Sequence, residues 1–353
     1  LKQGLSMIND REITMYARIM IRMFVIMAMV CAQVCFAKER PSVAQQFQLF
    51  QKKYHKKYVS SEIAEYRQRV FADNVAKIQA HNARHQDWRL AVNEYADQTW
   101  EEFSEARLLK AGVQFPMINQ SHRQILSRSK SIMDLPDSVN WVEQGAVTAV
   151  KNQGQCGSSW AFATTGVMEG AKKIQLGNPL VNLSEQQFLD CDASNAGCYG
   201  GQINNALLFA ESGITTAASY PYRARPGSCR SSTPVLQVAS YLQIASNDEV
   251  ALATAVAMQP IAIGVEADSS VFQFYKSGVV TSTSCGTTLN HALLIVGYGT
   301  ENGIPYWLCK NSWGRVWGDV GYIKIGRSLT SNGKPGVCGV ASYPWAVTVA
   351  YPG

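Results

Sequence analysis

The sequence predicts an α+β chain with a separate helical segment ahead of it. Three observations carry this. Between Ser42 and Phe103, Phe47, Phe50, Tyr54, Tyr58, Tyr66, Val70, Phe71, Val75 and Ile78 fall mostly three or four apart, which stacks them on one helix face. Further on, Trp160–Glu169 reads as a buried helix bounded by Gly177-Asn178-Pro179. Leu289–Gly299 and Tyr306–Cys309 are apolar runs of strand type.

The bounds set by composition are simple. With 353 residues the chain holds one large domain or two ordinary ones, and 46% apolar with 16% charged residues fits an ordered globular protein. A net charge of +6 is mild, and no stretch is densely basic with interleaved aromatics, so a nucleic-acid partner is not expected. The run Lys52-Lys53-Tyr54-His55-Lys56-Lys57 reads as a solvated helix face.

The N-terminal region reads as an export signal. Arg18 and Arg22 precede the apolar run Met23–Ala32, and the small residues Cys35 and Ala37 make a cleavage site before Lys38. The run falls short of the ~20 apolar residues that a spanning helix needs, so no membrane association is expected once the signal is removed. The expected location is secreted or lysosomal/vacuolar. Nine cysteines fit that oxidising route. Cys31 and Cys35 leave with the signal; Cys156, Cys191, Cys198, Cys229, Cys285, Cys309 and Cys338 remain. That allows three bridges and one odd thiol, and spacing alone does not choose the pairing. Residues 112–133 are polar and aperiodic, an exposed linker where proteolytic nicking concentrates. The expected segments are 1–37 (upstream residues and signal), 38–133 (helical segment and linker) and 134–353.

The most informative stretch is Gln153-Gly154-Gln155-Cys156-Gly157-Ser158-Ser159-Trp160-Ala161-Phe162. It resembles the active-site segment of the papain family of cysteine peptidases, whose local signature is C-G-[SA]-C-[WY]. Four of five positions match. The fifth, where the family has its nucleophilic cysteine, holds Ser159. Upstream, Arg67, Val70, Phe71, Asn74, Ile78 and Asn82, followed by Asn93-Glu94-Tyr95-Ala96-Asp97, resemble the inhibitory propeptide of the cathepsin L-like branch. Two members depart from its pattern: Ile63 stands at the leading Glu and Ala91 at a Gly or bulky position. Leu135–Trp141 looks like the family's mature N-terminus.

The resemblance implies a two-subdomain domain, a helical half and a β-barrel-like half with the site between them, preceded by the propeptide. It implies bridges Cys156–Cys198, Cys191–Cys229 and Cys285–Cys338, leaving Cys309 as a buried hydrophobe. It places Ser159 at the nucleophile, His291 at the base, Asn311 behind the imidazole, and Gln153 as a side-chain oxyanion donor. Trp313 matches the ring that shields the His–Asn bond and borders the substrate cleft. Gly200 and Gly201 resemble the wall on which an extended peptide pairs, although Tyr199 replaces the usual Asn. Ile203, Gly264 and Ala292 match an apolar pocket for the residue two before the scissile bond. After Cys338 only Gly339–Pro344 reach the Tyr-Pro pair, roughly three residues fewer than in relatives, in the stretch that normally helps close that pocket. His291 is the one histidine of the mature segment, and with six cysteines in bridges no metal site and no cofactor are expected.

The serine decides the chemistry. A papain-type thiol ionises against its histidine, with a pKa of about 3–4 in papain itself. A hydroxyl cannot; it must lose its proton during attack, with the imidazole as general base. Serine triads place a buried carboxylate behind that imidazole, and Asn311 brings no charge. The expected activity is therefore an endopeptidase zymogen with impaired or altered acyl transfer. Its partners would be extended peptides and its own propeptide, and it would be a monomer. Two alternatives stay open: a pseudo-peptidase that binds without cutting, and a silicatein-like condensation catalyst, although silicateins resemble C-G-A-S-Y where this chain has Ser158 and Trp160. Protonation of His55, His81 and His85 beside Lys52, Lys53 and Lys56 is expected to loosen the propeptide in acid.

Overall fold

A computed structural model describes residues 20–23, 41–85, 87–110, 135–267, 270–281, 285–330 and 333–353. The expected signal, apart from a helical stretch at 20–23, and the expected linker lie outside the described residues. The chain divides into two units, 1–57 and 58–353. In the first, helix α1 (Val43–Lys53) opens on a capping box in which Ser42 accepts from the Gln45 N–H and Gln45 accepts from the Ser42 N–H. The helix ends at Lys53 and His55 takes a left-handed φ of 53°, so the basic run straddles a helix end instead of lining one face.

The second unit opens with α2 (Ser61–Arg84), capped by Ser60. Its buried face is Val70, Phe71, Asn74, Val75 and Ile78, the i, i+1, i+4 spacing of one helix stripe. Tyr66, expected on that face, is partly exposed beside Arg67. Buried Asn74 belongs there because its amide donates to Ala96 O (3.0 Å) and Gln98 O (2.9 Å). Just over two turns later, Asn82 exchanges two bonds with the Leu90 backbone (2.8 and 2.9 Å). Arg67 donates to Asp97 O (3.0 Å) and Glu102 (2.5 Å), and Glu102 also completes the capping box of α3 (Trp100–Arg107). The helix-motif residues thus fasten the chain that returns past them.

That returning chain contributes β1 (Trp88–Leu90), which pairs antiparallel with β5 (Tyr275–Val280). The sheet continues through β8 (Tyr322–Gly326), β7 (Ile304–Lys310), β6 (His291–Glu301), β4 (Ile261–Val265) and β9 (Trp345–Ala350) to β3 (Gln237–Gln243), with β2 (Val139–Asn140) on β6. Among the described residues only β5–β8 is parallel. The barrel-like half expected from resemblance is realised as an open sheet whose end strands are β1 and β3. Long α4 (Ser159–Leu176) lies on this sheet, with every residue from Ser159 to Lys172 buried. Around it pack α5 (Glu185–Cys191) and α6 (Ile203–Phe209); α7 (Glu249–Val256) and α8 (Ser270–Phe274) flank the sheet. Three disulfides, Cys156–Cys198, Cys191–Cys229 and Cys285–Cys338, are the same pairs that the resemblance implies, and Cys309 is a free, buried thiol.

Candidate active site

Ser159 is the first residue of α4, and Ser158 before it makes no side-chain cap. The first-turn N–H groups of a helix lack intrahelical partners and carry the positive end of its dipole, so the backbone here suits an oxyanion. Ser158 is spent elsewhere: its hydroxyl shares a bond with Tyr222 Oη (2.7 Å), which also donates to Gln153 O (2.8 Å). Gly157 has to be glycine, since a Cβ there would lie 2.6 Å from Cys198 O and 2.9 Å from Leu108 O.

His291 opens β6 and Asn311 follows the last residue of β7. Asn311 Oδ1 lies 2.9 Å from His291 Nε2 and accepts from the Ser312 N–H at 2.7 Å. A carbonyl oxygen only accepts, so Nε2 carries the proton and Nδ1 of the neutral ring carries the lone pair. That Nδ1 is buried with no protein partner among the described residues. Burial lowers the imidazole pKa to about 4, against the opposing pull of the Asn311 bond. The ring is therefore neutral at pH 7, as a general base must be. Ser159 Oγ accepts from the Ala292 N–H at 3.1 Å. The hydroxyl is thus tied to the backbone beside the histidine.

Gln153 is fully buried, and both ends of its amide are fixed: Oε1 accepts from Ser312 Oγ (2.6 Å), and Nε2 donates to Cys156 O (2.7 Å) and Arg107 O (2.9 Å). The Arg107 carbonyl closes α3, so an oxygen of that helix end occupies the amide donor of Gln153. The next residues run on through the cleft. Leu109 N donates to Asn290 O (2.9 Å) and Lys110 N to Tyr199 O (3.0 Å). Gly200, with φ 135°, and Gly201 follow; a Cβ on Gly201 would sit 2.6 Å from the Trp160 ring. Leu109, Ile203 and Ala292 share one apolar cluster with Tyr343. Gly264 pairs with Ala292 across the sheet and faces Leu289 and Tyr343, whose hydroxyl donates to Asn204 (2.5 Å). Leu289, which the sequence did not single out for the pocket, lies against Gly264, and so does Tyr343, a member of the stretch after Cys338.

Trp313 lies 4.6 Å from the His291 ring, fully buried. Phe103, Phe272 and Trp317 close around it, and Tyr95 Oη donates to its carbonyl (3.1 Å). Of these rings, Phe103 and Tyr95 come from the segment that matches the propeptide domain. Phe272 and Trp317 gave no sequence signal beyond ordinary core aromatics. Lys151, Glu169, Glu185 and Lys310 were also passed over. Nothing along the chain sets them apart from surface charges; once buried, such residues are rare unless paired.

Comparison with known proteins agrees with this geometry. Residues 135–348 match the papain family cysteine protease pattern, and residues 47–103 match the cathepsin propeptide inhibitor domain. The chain belongs to the papain family of cysteine proteases, as a zymogen with its own propeptide inhibitor domain. It is 41% identical over 293 residues to the KDEL-tailed cysteine endopeptidase CEP2 of Arabidopsis thaliana, covering 80% of this chain and 81% of that one. The probable cysteine protease RDL6 of the same plant is 39% identical over 315 residues, 84% and 85% of the two chains. Among solved structures, a recombinant stem bromelain precursor superposes with TM-score 0.75 at 34% identity, covering 87% of this chain and 99% of its own. The digestive procathepsin L 3 of Tenebrio molitor larval midgut gives 0.75 at 36%, again 87% and 99%.

Proposed function

We propose that this chain is the precursor of a papain-type endopeptidase whose acyl-transfer chemistry is impaired at one atom, the oxygen of Ser159. His291 acts as general base, Asn311 orients it, and Gln153 with the first N–H of α4 receives the oxyanion. Gly200 and Gly201 pair with an extended peptide, while Ile203, Gly264 and Ala292 line the pocket two residues before the cut. The single observation that carries the reading is the neutral imidazole held from behind by Asn311, with its free Nδ1 in a site whose nucleophile position is a hydroxyl. In a cysteine enzyme that nitrogen takes the thiol proton before substrate arrives. Here nothing is ionised in advance, and no carboxylate backs the ring as attack proceeds.

The segments divide as 1–37, 38–133 and 134–353, with activation by cleavage in the linker. Among the described residues no helix is long and apolar enough to cross a membrane. The disulfides and the KDEL-tailed relative favour passage through the secretory pathway. The test is Ser159→Cys in the processed domain, assayed on peptides with a branched aliphatic residue two before the scissile bond. Strong, alkylation-sensitive cleavage supports the reading. A folded but inert Ser159→Cys protein would favour the second reading, a peptide-binding pseudo-peptidase. The bond from Ala292 N–H to Ser159 Oγ gives that alternative its one specific support.

A further inference from the structure

Beside Asn311, between α4 and strands β6 and β7, lies a cavity with ≈ 20 Å³ open to the centre of a water molecule. A single water needs roughly 10–15 Å³ by that measure, together with two to four polar partners. The polar lining is unusual for so deep a place: Lys151, Thr165, Glu169, Lys310, Asn311 and Ser312. Most of these groups are satisfied. Lys151 bonds Glu169 (2.8 Å) and Glu185 (2.5 Å), and Thr165 donates to Glu185 (2.6 Å). Thr148 donates to Glu169 (2.6 Å) and accepts from Lys310 Nζ (3.0 Å).

Two donors are left over. Asn311 is 3% exposed, and no described protein group accepts from its Nδ2. Lys310 is 8% exposed and carries three N–H bonds, of which one goes to Thr148. Two buried donors beside a cavity of one-water size define an acceptor with two lone pairs. Neither an apolar filling nor a cation meets that description.

We propose that the cavity is an internal water site. A water held there by Lys310 accepts from Asn311 Nδ2 and locks the amide with its oxygen toward His291, which makes Lys310 a positioning residue for the catalytic base. The buried cluster of two lysines and two glutamates balances in charge, which allows Lys310 to stay protonated at depth. Burial pushes its pKa down to about 8, with the nearby glutamates pulling it back up, so the ammonium still dominates at pH 7. The device solves a specific difficulty. In this family position an asparagine must hold an imidazole without a charge, and an amide free to rotate on its unbonded side would hold it poorly.

The inference rests on His291 being the base, but its test needs no turnover and is made in the Ser159 protein. In the folded full-length chain, the His291 Nε2 proton is followed by NMR and assigned by its loss in His291→Ala. Lys310→Met is expected to keep the disulfides and to speed the exchange with solvent at least tenfold beyond what its lowered thermal midpoint accounts for. Lys310→Gln, which can still donate to the water, should return it to within threefold of the parent. Ala163→Val, which fills the cavity from α4 without touching a charge, should speed exchange as Lys310→Met does. If Lys310→Met does not fold, Ala163→Val decides alone. Exchange within twofold of the parent in a folded Ala163→Val protein overturns the water. Exchange that follows global stability in all three variants overturns the positioning role.

Discussion

The propeptide and the cleft it covers both bury polar side chains, but they hold them differently. In the propeptide, Arg67, Asn74 and Asn82 bond mainly to backbone carbonyls 8 to 30 residues away, folding one helix against its own continuation. In the cleft, Ser159 meets Ala292 across 133 positions and Ser312 meets Gln153 across 159. The propeptide is a local clamp that can form as it is read. The cleft exists only once α4 and the sheet have docked, so its precision depends on tertiary packing. It follows that a polar truncation should weaken the clamp by an amount set by its hydrogen bonds. A change in the cleft should alter rates far more than stability.

The largest expected effect is chemical. Ser159→Cys in the processed domain should raise peptide cleavage by roughly three decades or more, because a thiol can ionise against His291 where a hydroxyl cannot. The thermal midpoint should hardly move. Brisk turnover by the parent, abolished in His291→Ala, would mean that the hydroxyl is already a competent nucleophile.

Next comes the clamp. Asn74→Ala strands one buried carbonyl, Ala96 O, and leaves Gln98 O to the Gln273 amide alone, which costs about 1–3 kcal/mol. Calorimetry of the zymogen should show that loss together with basal leakage of peptide binding. A loss below about 0.5 kcal/mol would place the fastening elsewhere, in the Asn93–Gln273 contacts.

Acid should act on both regions with the same sign. His291 is held near 4 by burial, and His81 is pushed below its usual value by burial and then by the charges of His85 and Arg89. Both groups bind fewer protons in the folded zymogen than in the unfolded chain. The stability of the closed zymogen is therefore complete above about pH 6.5 and declines as pH falls toward 4. His81 stacks with His85 (4.5 Å) and meets the Trp88 ring of β1 at a tilt (4.9 Å). His81→Gln should flatten part of the pH dependence of propeptide release measured from pH 7 to 5; an unchanged slope would leave His291 as the sole sensor.

The smallest effect tests the loop beyond Trp317. Val320 is β-branched yet holds φ 53°, a left-handed conformation that such residues avoid at a cost of about 1–2 kcal/mol. Val320→Gly should raise stability by up to about 1 kcal/mol and leave activity alone, as read from chemical denaturation of the Ser159→Cys enzyme. A loss of stability would show that the valine side chain holds the loop by packing.

The sequence by itself determined the class and the local pieces. Helix stripes at Val70, Phe71, Asn74 and Ile78, apolar strand runs around His291 and Cys309, and the segment Gln153–Phe162 are written in residues close enough to be read together. Only the tertiary structure decided what meets what. That Arg107 O takes the Gln153 amide, that Ser159 Oγ is tied to Ala292 N–H, and that Leu289 and Tyr343 lie against Gly264 depend on segments brought together by the sheet. Lys151, Glu169, Glu185 and Lys310 make the same point. Each reads as an ordinary surface charge along the chain, because burial is a property of the packed molecule. What pairs them is the cost of leaving any one of them alone in a low-dielectric interior.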